Sequence, residues 1–127
     1  MRSMGRPSVL VVDDEPQVVW VLQFSLQAEG YETHTAHDGI EALQQVRRHH
    51  PAYVVLDVMM PRMDGWGVLE ELGKLPIDER PLVVMVTALA SIADRAKAQA
   101  LGAAAYVPKP FDVDELIGVL QGLALAS

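Results

Sequence analysis

Five short apolar or β-branched runs alternate with helix-patterned stretches, and this alternation limits the chain to very few folds. The runs are Val9–Val12, Tyr31–Ala36, Val54–Leu56, Leu82–Val86 and Ala104–Val107. Continuous runs of this length suit strands buried on both faces of a parallel sheet, whereas Tyr31–Ala36 alternates in character and is a weaker signal. Asp14-Glu15-Pro16 opens the first helix, with proline tolerated in a first turn, and Gly30 stops it. Asp38-Gly39-Ile40-Glu41 reads as a capping box for the second helix, which ends in the basic stretch before Pro51, where positive charge meets the negative end of the helix dipole. Asp64 is expected to cap the third helix, which runs towards Gly73. Ser91 with Asp94 is expected to cap the fourth, ending near Gly102, and Asp112 with Glu115 the fifth, from Val113 to about Leu125. Strand then helix, five times over, implies an open parallel sheet with helices on both faces. With right-handed crossovers the leading solution is a flavodoxin-like (βα)5 three-layer sandwich of strand order 2-1-3-4-5.

Length and composition agree with one such domain. The chain has 127 residues, half of them hydrophobic, enough to fill a core. Residues 8–125 are expected to form the domain and residues 1–7 a loose N-terminal tail. The formal net charge of -7 argues against a direct nucleic-acid surface, which relies on Lys and Arg. The absence of cysteine excludes disulfides, thiolate metal sites and a cysteine nucleophile. No apolar run reaches the roughly 18 residues of a membrane span, and Val9–Val12 is too short for the core of a secretory signal. The expected setting is the cytoplasm.

In such a sheet ligands bind beyond the carboxyl ends of the strands, at the point where the strand order reverses. The first strand ends in Asp13-Asp14, the third in Asp57 and the fourth in Thr87, and the fifth is followed by Lys109-Pro110. An order of 2-1-3-4-5 makes the first and third strands neighbours and brings three carboxylates into one crevice. Two like charges about 4 Å apart repel by roughly 4 kcal/mol at an effective dielectric of about 20. A hard divalent cation with oxygen ligands answers that repulsion, and Mg²⁺ suits a site with few protein ligands and several waters. Lys109 adds a fixed positive charge. A carboxylate can attack phosphorus, and phosphoryl transfer needs positioning and charge neutralisation above all. Taken singly, each residue has a plainer reading: a lone aspartate at a strand end is usually a cap, and a lone lysine is usually solvated. The joint arrangement carries the functional reading.

The same residues resemble the receiver domain of two-component response regulators, from about Ser8 to Leu125. The matching pieces are Val9 to Glu15 (VLVVDDE), Leu56 to Gly65 (LDVMMPRMDG), Val86-Thr87-Ala88, Gly102-Ala103 and Lys109-Pro110-Phe111. The resemblance implies a signalling switch, not an enzyme, that catalyses only its own phosphorylation and dephosphorylation. It implies that Asp57 accepts phosphate from a histidine kinase or phosphotransfer protein. Asp14, Asp57 and the Met59 carbonyl would ligate Mg²⁺, with Asp13 acting mostly through water. Lys109 would pair with the phosphoryl group, and its bond to Pro110 would be cis. Thr87 and Tyr106 would form the switch, reshaping the face of the fourth helix, fifth strand and fifth helix that controls a partner or output domain. Three rivals fit less well. A haloacid-dehalogenase-type phosphatase needs a second aspartate where Met59 stands. A flavodoxin needs a glycine- and hydroxyl-rich loop where Asp-Asp-Glu-Pro stands. A passive, degenerate receiver would lack the complete residue set.

Some features are this chain's own. The segment Gly102 to Tyr106 has no acidic pair and the fifth helix no Arg or Lys, which argues against dimerisation through charged pairs on that face. The face is expected to meet its target through apolar contact, using some of Val113, Leu116, Val119, Leu123 and Leu125. If Val18, Val21, Leu22 and Leu26 face the core, then Val19, Trp20 and Phe24 lie outside it and are candidates to dock the kinase. Met59 and Leu89, two residues beyond Asp57 and Thr87, cannot position an attacking water, so slow self-dephosphorylation is expected. His34, His37, His49 and His50 are read as solvated and without a role.

Overall fold

The computed structural model describes residues 6–89 and 91–126. Most of the expected tail lies outside the described residues. Five strands and five helices alternate: β1 (Ser8–Val12), α1 (Pro16–Ala28), β2 (Glu32–Ala36), α2 (Gly39–His49), β3 (Tyr53–Leu56), α3 (Gly65–Leu72), β4 (Leu82–Thr87), α4 (Ile92–Ala100), β5 (Ala105–Pro108) and α5 (Val113–Ala126). The strands form one parallel sheet in the order β2-β1-β3-β4-β5. A short 3-10 turn, Ile77–Glu79, lies between α3 and β4 and has no counterpart in the sequence reading.

Alternation along each strand divides the core into two layers. Leu10, Val12, Val54, Leu56, Val83 and Met85 point to the face covered by α2, α3 and α4. Val9, Val11, Val55, Val84, Val86 and Val107 point to the face covered by α1 and α5. The central strands are buried on both sides and read as continuous apolar runs. β2 pairs only with β1 and buries Ala36, so its sequence is mixed. Among the described residues no helix is long and apolar enough to cross a membrane.

The helix caps follow the sequence closely. Asp38, Asp64 and Ser91 accept hydrogen bonds from the N–H groups of Glu41, Gly67 and Asp94. Glu41 turns back to accept from the His37 N–H at 2.7 Å. Asp112 accepts from Asp114 and not from Glu115. Gly30, with φ of 94°, closes α1 with bonds from its own N–H to the Gln27 carbonyl and from the Tyr31 N–H to the Leu26 carbonyl, each 3.0 Å.

One expectation needs correcting. Val19 is buried, at 5% exposure, with Leu22 and Leu26, while Val21 is exposed. On a helix of 3.6 residues per turn, Val19 and Val21 stand about 60° and about 100° from Leu22 on opposite sides. The periodicity leaves the choice nearly open, and packing on the sheet selects Val19. It therefore cannot dock a partner. On α5, Leu116 is fully buried, Val113, Val119 and Leu123 are half-buried against the same core, and Leu125 is exposed.

Candidate functional site

The parallel register brings the strand ends to one rim. Beyond Val12 and Leu56, which are paired, the chains continue side by side, with the Asp57 N–H donating to the Val12 carbonyl at 3.1 Å. Likewise the Lys109 N–H donates to the Thr87 carbonyl at 2.8 Å. Asp13, Asp14 and Asp57 each present a carboxylate oxygen within 4.8 Å of the others. Asp13 and Asp57 are buried and Asp14 is exposed. Lys109 reaches in from beyond β5, its Nζ 2.8 Å from Asp13 Oδ2 and 3.2 Å from Asp57 Oδ2.

The electrostatics are unbalanced. Burial pushes the Asp57 carboxyl above its ordinary value; Lys109 opposes this and the charge of Asp13 adds to it. Burial by itself would lower the Lys109 pKa. Its hydrogen bond to Asp13 and the charges of Asp57 and Asp13 outweigh that and hold the ammonium above its usual value. Lys109 is thus held as the ammonium, in contact with the carboxylates of Asp13 and Asp57. Glu15, whose place at the site its sequence position does not reveal, adds a third carboxylate 3.5 Å from Nζ.

The donor set fits a hard cation. All the side-chain donors are oxygen, and negative charge exceeds positive charge. Both Asp13 oxygens are engaged, Oδ1 by the Glu15 N–H at 2.9 Å and Oδ2 by Lys109. Among the described residues the Asp14 carboxylate has no hydrogen-bond or ion-pair partner, so of the three it is the freest to ligate. Met59 turns its side chain to solvent while its N–H faces Asp57 Oδ1 at 3.4 Å.

Thr87 is fully buried at the same rim, and its hydroxyl accepts from the Leu89 N–H at 3.2 Å. The half-buried Tyr106 donates its phenol hydrogen to the Leu89 carbonyl. Arg95 of α4 lies over the Tyr106 ring at 4.9 Å. Thr87 and Tyr106 therefore meet at one residue of the β4–α4 loop. The Lys109–Pro110 peptide is cis. Trp20 and Phe24 are exposed and stacked, with centroids 5.5 Å apart and planes 12° apart. His34 is only partly solvated: it stacks on His49 at 3.7 Å and pairs with Glu32.

The rim also dictates glycine at position 65. A Cβ there would lie 2.3 Å from the Asp57 carbonyl oxygen. The Asp64-Gly65 pair carried that signal.

A family model for the response regulator receiver domain matches residues 9–121. The chain belongs to that family. This receiver domain is 44% identical over 121 residues to a probable transcriptional regulator, ycf27, of Cyanophora paradoxa, covering 95% of this chain and 49% of the relative. It is 42% identical to the response regulator MprA of Mycobacterium ulcerans, covering 91% of this chain and 49% of that one. The chain thus spans about half the length of these curated relatives. Among solved structures, a CheY-like receiver domain protein of Methanospirillum hungatei superposes with a TM-score of 0.86 at 27% identity, covering 93% of each chain. TrrA of Thermotoga maritima, in complex with Mg(2+)-BeF, superposes at 0.81 with 35% identity, over 92% of this chain and 98% of that one.

Proposed function

We propose that this receiver domain works as a two-component switch by accepting a phosphoryl group on Asp57 from a phosphohistidine of a histidine kinase or phosphotransfer protein. An Asp57 carboxylate oxygen attacks phosphorus, a P–O bond forms, the P–N bond to the donor imidazole breaks, and that nitrogen takes the electron pair. Lys109, already 3.2 Å from Asp57, holds a phosphoryl oxygen as the group moves onto the aspartate. Asp14, Asp57 and the Met59 carbonyl would hold Mg²⁺, with Asp13 acting through water. When bound, the ion neutralises the excess charge of the rim and of the incoming phosphoryl group. The observation that carries the reading is the excess of carboxylate over ammonium at a rim of the sheet.

Thr87 then exchanges its bond with the Leu89 N–H for one to a phosphoryl oxygen, and this frees the Leu89 segment that Tyr106 also holds. Phosphorylation shifts the population only because this bond exists in one conformer and not the other. The face formed by α4, β5 and α5 changes with it and controls a protein target or an output domain. Trp20 and Phe24 dock the donor: they form an exposed aromatic pair on α1, the helix that follows Asp13-Asp14. Neither Met59 nor Leu89 carries a group that could activate water, so the acyl phosphate is expected to outlast many seconds at neutral pH.

The test is intact mass after incubation with acetyl phosphate, with and without Mg²⁺. Wild type should gain one phosphoryl group in the presence of the ion, and Asp57→Ala should gain none. An unchanged wild-type mass, or an unchanged gain in Asp57→Ala, would overturn the reading.

A further inference from the structure

The β3–α3 loop is tied to the N-terminus of α2 at two neighbouring points. The Arg62 guanidinium donates to the Asp38 carboxylate. The Gly39 N–H donates to the Met63 carbonyl at 3.1 Å, and a Cβ on Gly39 would lie 2.3 Å from that oxygen. Asp38 divides its two oxygens between structures. Oδ1 caps α2 by accepting from the Glu41 N–H at 2.8 Å, and Oδ2 is left for Arg62.

Arg62 is unusual in its backbone. Its φ is 67°, in the left-handed region that side chains other than those of glycine and asparagine seldom adopt. Such a conformation persists where the surroundings over-determine it. The ion pair and the Gly39–Met63 bond supply that determination. The loop also borders the acceptor directly. It leaves β3 through Asp57 itself, sets the Met59 N–H against Asp57 Oδ1, and closes at Gly65, whose N–H donates to the Val58 carbonyl at 2.8 Å.

From this arrangement we propose that the Arg62–Asp38 pair positions the acceptor loop, fixing the backbone between Met59 and Gly65 against α2 and so setting how tightly the rim holds a divalent cation. The inference rests on the Mg²⁺ reading above. Both are positioning residues, since neither touches Asp57, and they act through the loop backbone. Asp38 is buried but Arg62 lies largely in solvent, which screens the pair and keeps its own contribution to stability small. A purely structural role would therefore leave the cation affinity of the folded protein unchanged, whereas a positioning role changes affinity with little loss of stability.

The experiment is calorimetric titration of the full chain with Mg²⁺, together with amide hydrogen exchange of the metal-free protein. Arg62→Ala should weaken Mg²⁺ binding about tenfold, as is common when groups supporting metal ligands are lost. It should also speed exchange at the Gly39 amide. Asp38→Ser keeps a capping oxygen for α2 but cannot pair with Arg62, and should weaken binding by a similar factor. The double variant should lose no more than either single one, and Arg62→Lys, which keeps the charge, should recover most of the affinity. Wild-type affinity in Arg62→Ala, or losses that multiply in the double variant, would overturn the inference while leaving the reading of the site intact. Unchanged Gly39 exchange in metal-free Arg62→Ala would overturn it independently of any metal. A wild type that binds no Mg²⁺ would overturn both.

Discussion

Asp57 and Asp38 are both buried aspartates just past strand ends on the same rim, and their surroundings treat the negative charge in opposite ways. At Asp38 the Glu41 N–H, and then Arg62, hold the carboxyl below its usual range against the opposing effect of burial. At Asp57 burial raises it, Asp13 adds to the rise, and a lysine shared with Asp13 offsets it only in part. One aspartate has its charge met within the fold. The other keeps a surplus that invites a cation and an electrophile. The difference teaches that, in this domain, the carboxylate proposed to accept phosphate is the one whose charge the fold leaves incompletely compensated.

Four variants would break or sharpen that contrast. The largest effect is expected for Asp57→Asn, which should abolish phosphoryl gain from acetyl phosphate in intact mass. In chelator it should also melt higher than wild type. A raised carboxyl pKa means that the charged form opposes folding, so removing the charge favours the fold. A lower melting temperature would show that Asp57 is compensated after all. Next is Gly65→Ala, whose new Cβ meets the Asp57 carbonyl and cannot escape by turning a side chain. About 3 kcal/mol should be lost in urea denaturation, with phosphorylation weakened as well.

The third, Asp38→Ala, removes a helix cap and should cost about 1 kcal/mol at neutral pH. Because the folded pKa of Asp38 is depressed, its contribution is fully present above the unfolded value of about 4. It is lost as pH falls through the folded value. Denaturation midpoints of wild type and Asp38→Ala should therefore converge in acid, and a constant gap would remove the contrast with Asp57. The smallest effect on stability, within about 0.5 kcal/mol, is expected for Trp20→Ala with Phe24→Ala, since both rings are exposed. Their loss should slow phosphotransfer from a protein donor and leave the rate with acetyl phosphate unchanged. Equal slowing with both donors would argue against docking by this pair.

Much of the fold could be read along the chain because its signals are local. The periodicity of Val9–Val12 against that of α1, and the caps at Asp38, Asp64 and Ser91, each depend on a few consecutive residues. The carboxylates were legible for a related reason: in a parallel sheet a strand's end is also its place on the rim, so Asp13, Asp57 and Thr87 could be assigned to one edge. Val19 was misplaced because two sides of α1 offered nearly equal apolar stripes. Glu15 was missed because its neighbour in space, Lys109, lies at the far end of the chain. The meeting of Thr87 and Tyr106 at Leu89 was equally hidden, since it depends on how a loop after β4 passes over β5.

The sequence by itself determined the alternation of strands and helices, the sheet they could build and the residue types standing at its carboxyl edge, because hydrophobic period and helix ends are written in near neighbours. Tertiary structure alone decided which valine of α1 enters the core, which oxygens Lys109 shares, and that Asp38 meets an arginine 24 positions away. Those outcomes depend on how already-formed elements pack and on how burial weighs one charge against another, and neither quantity exists until the chain has closed on itself.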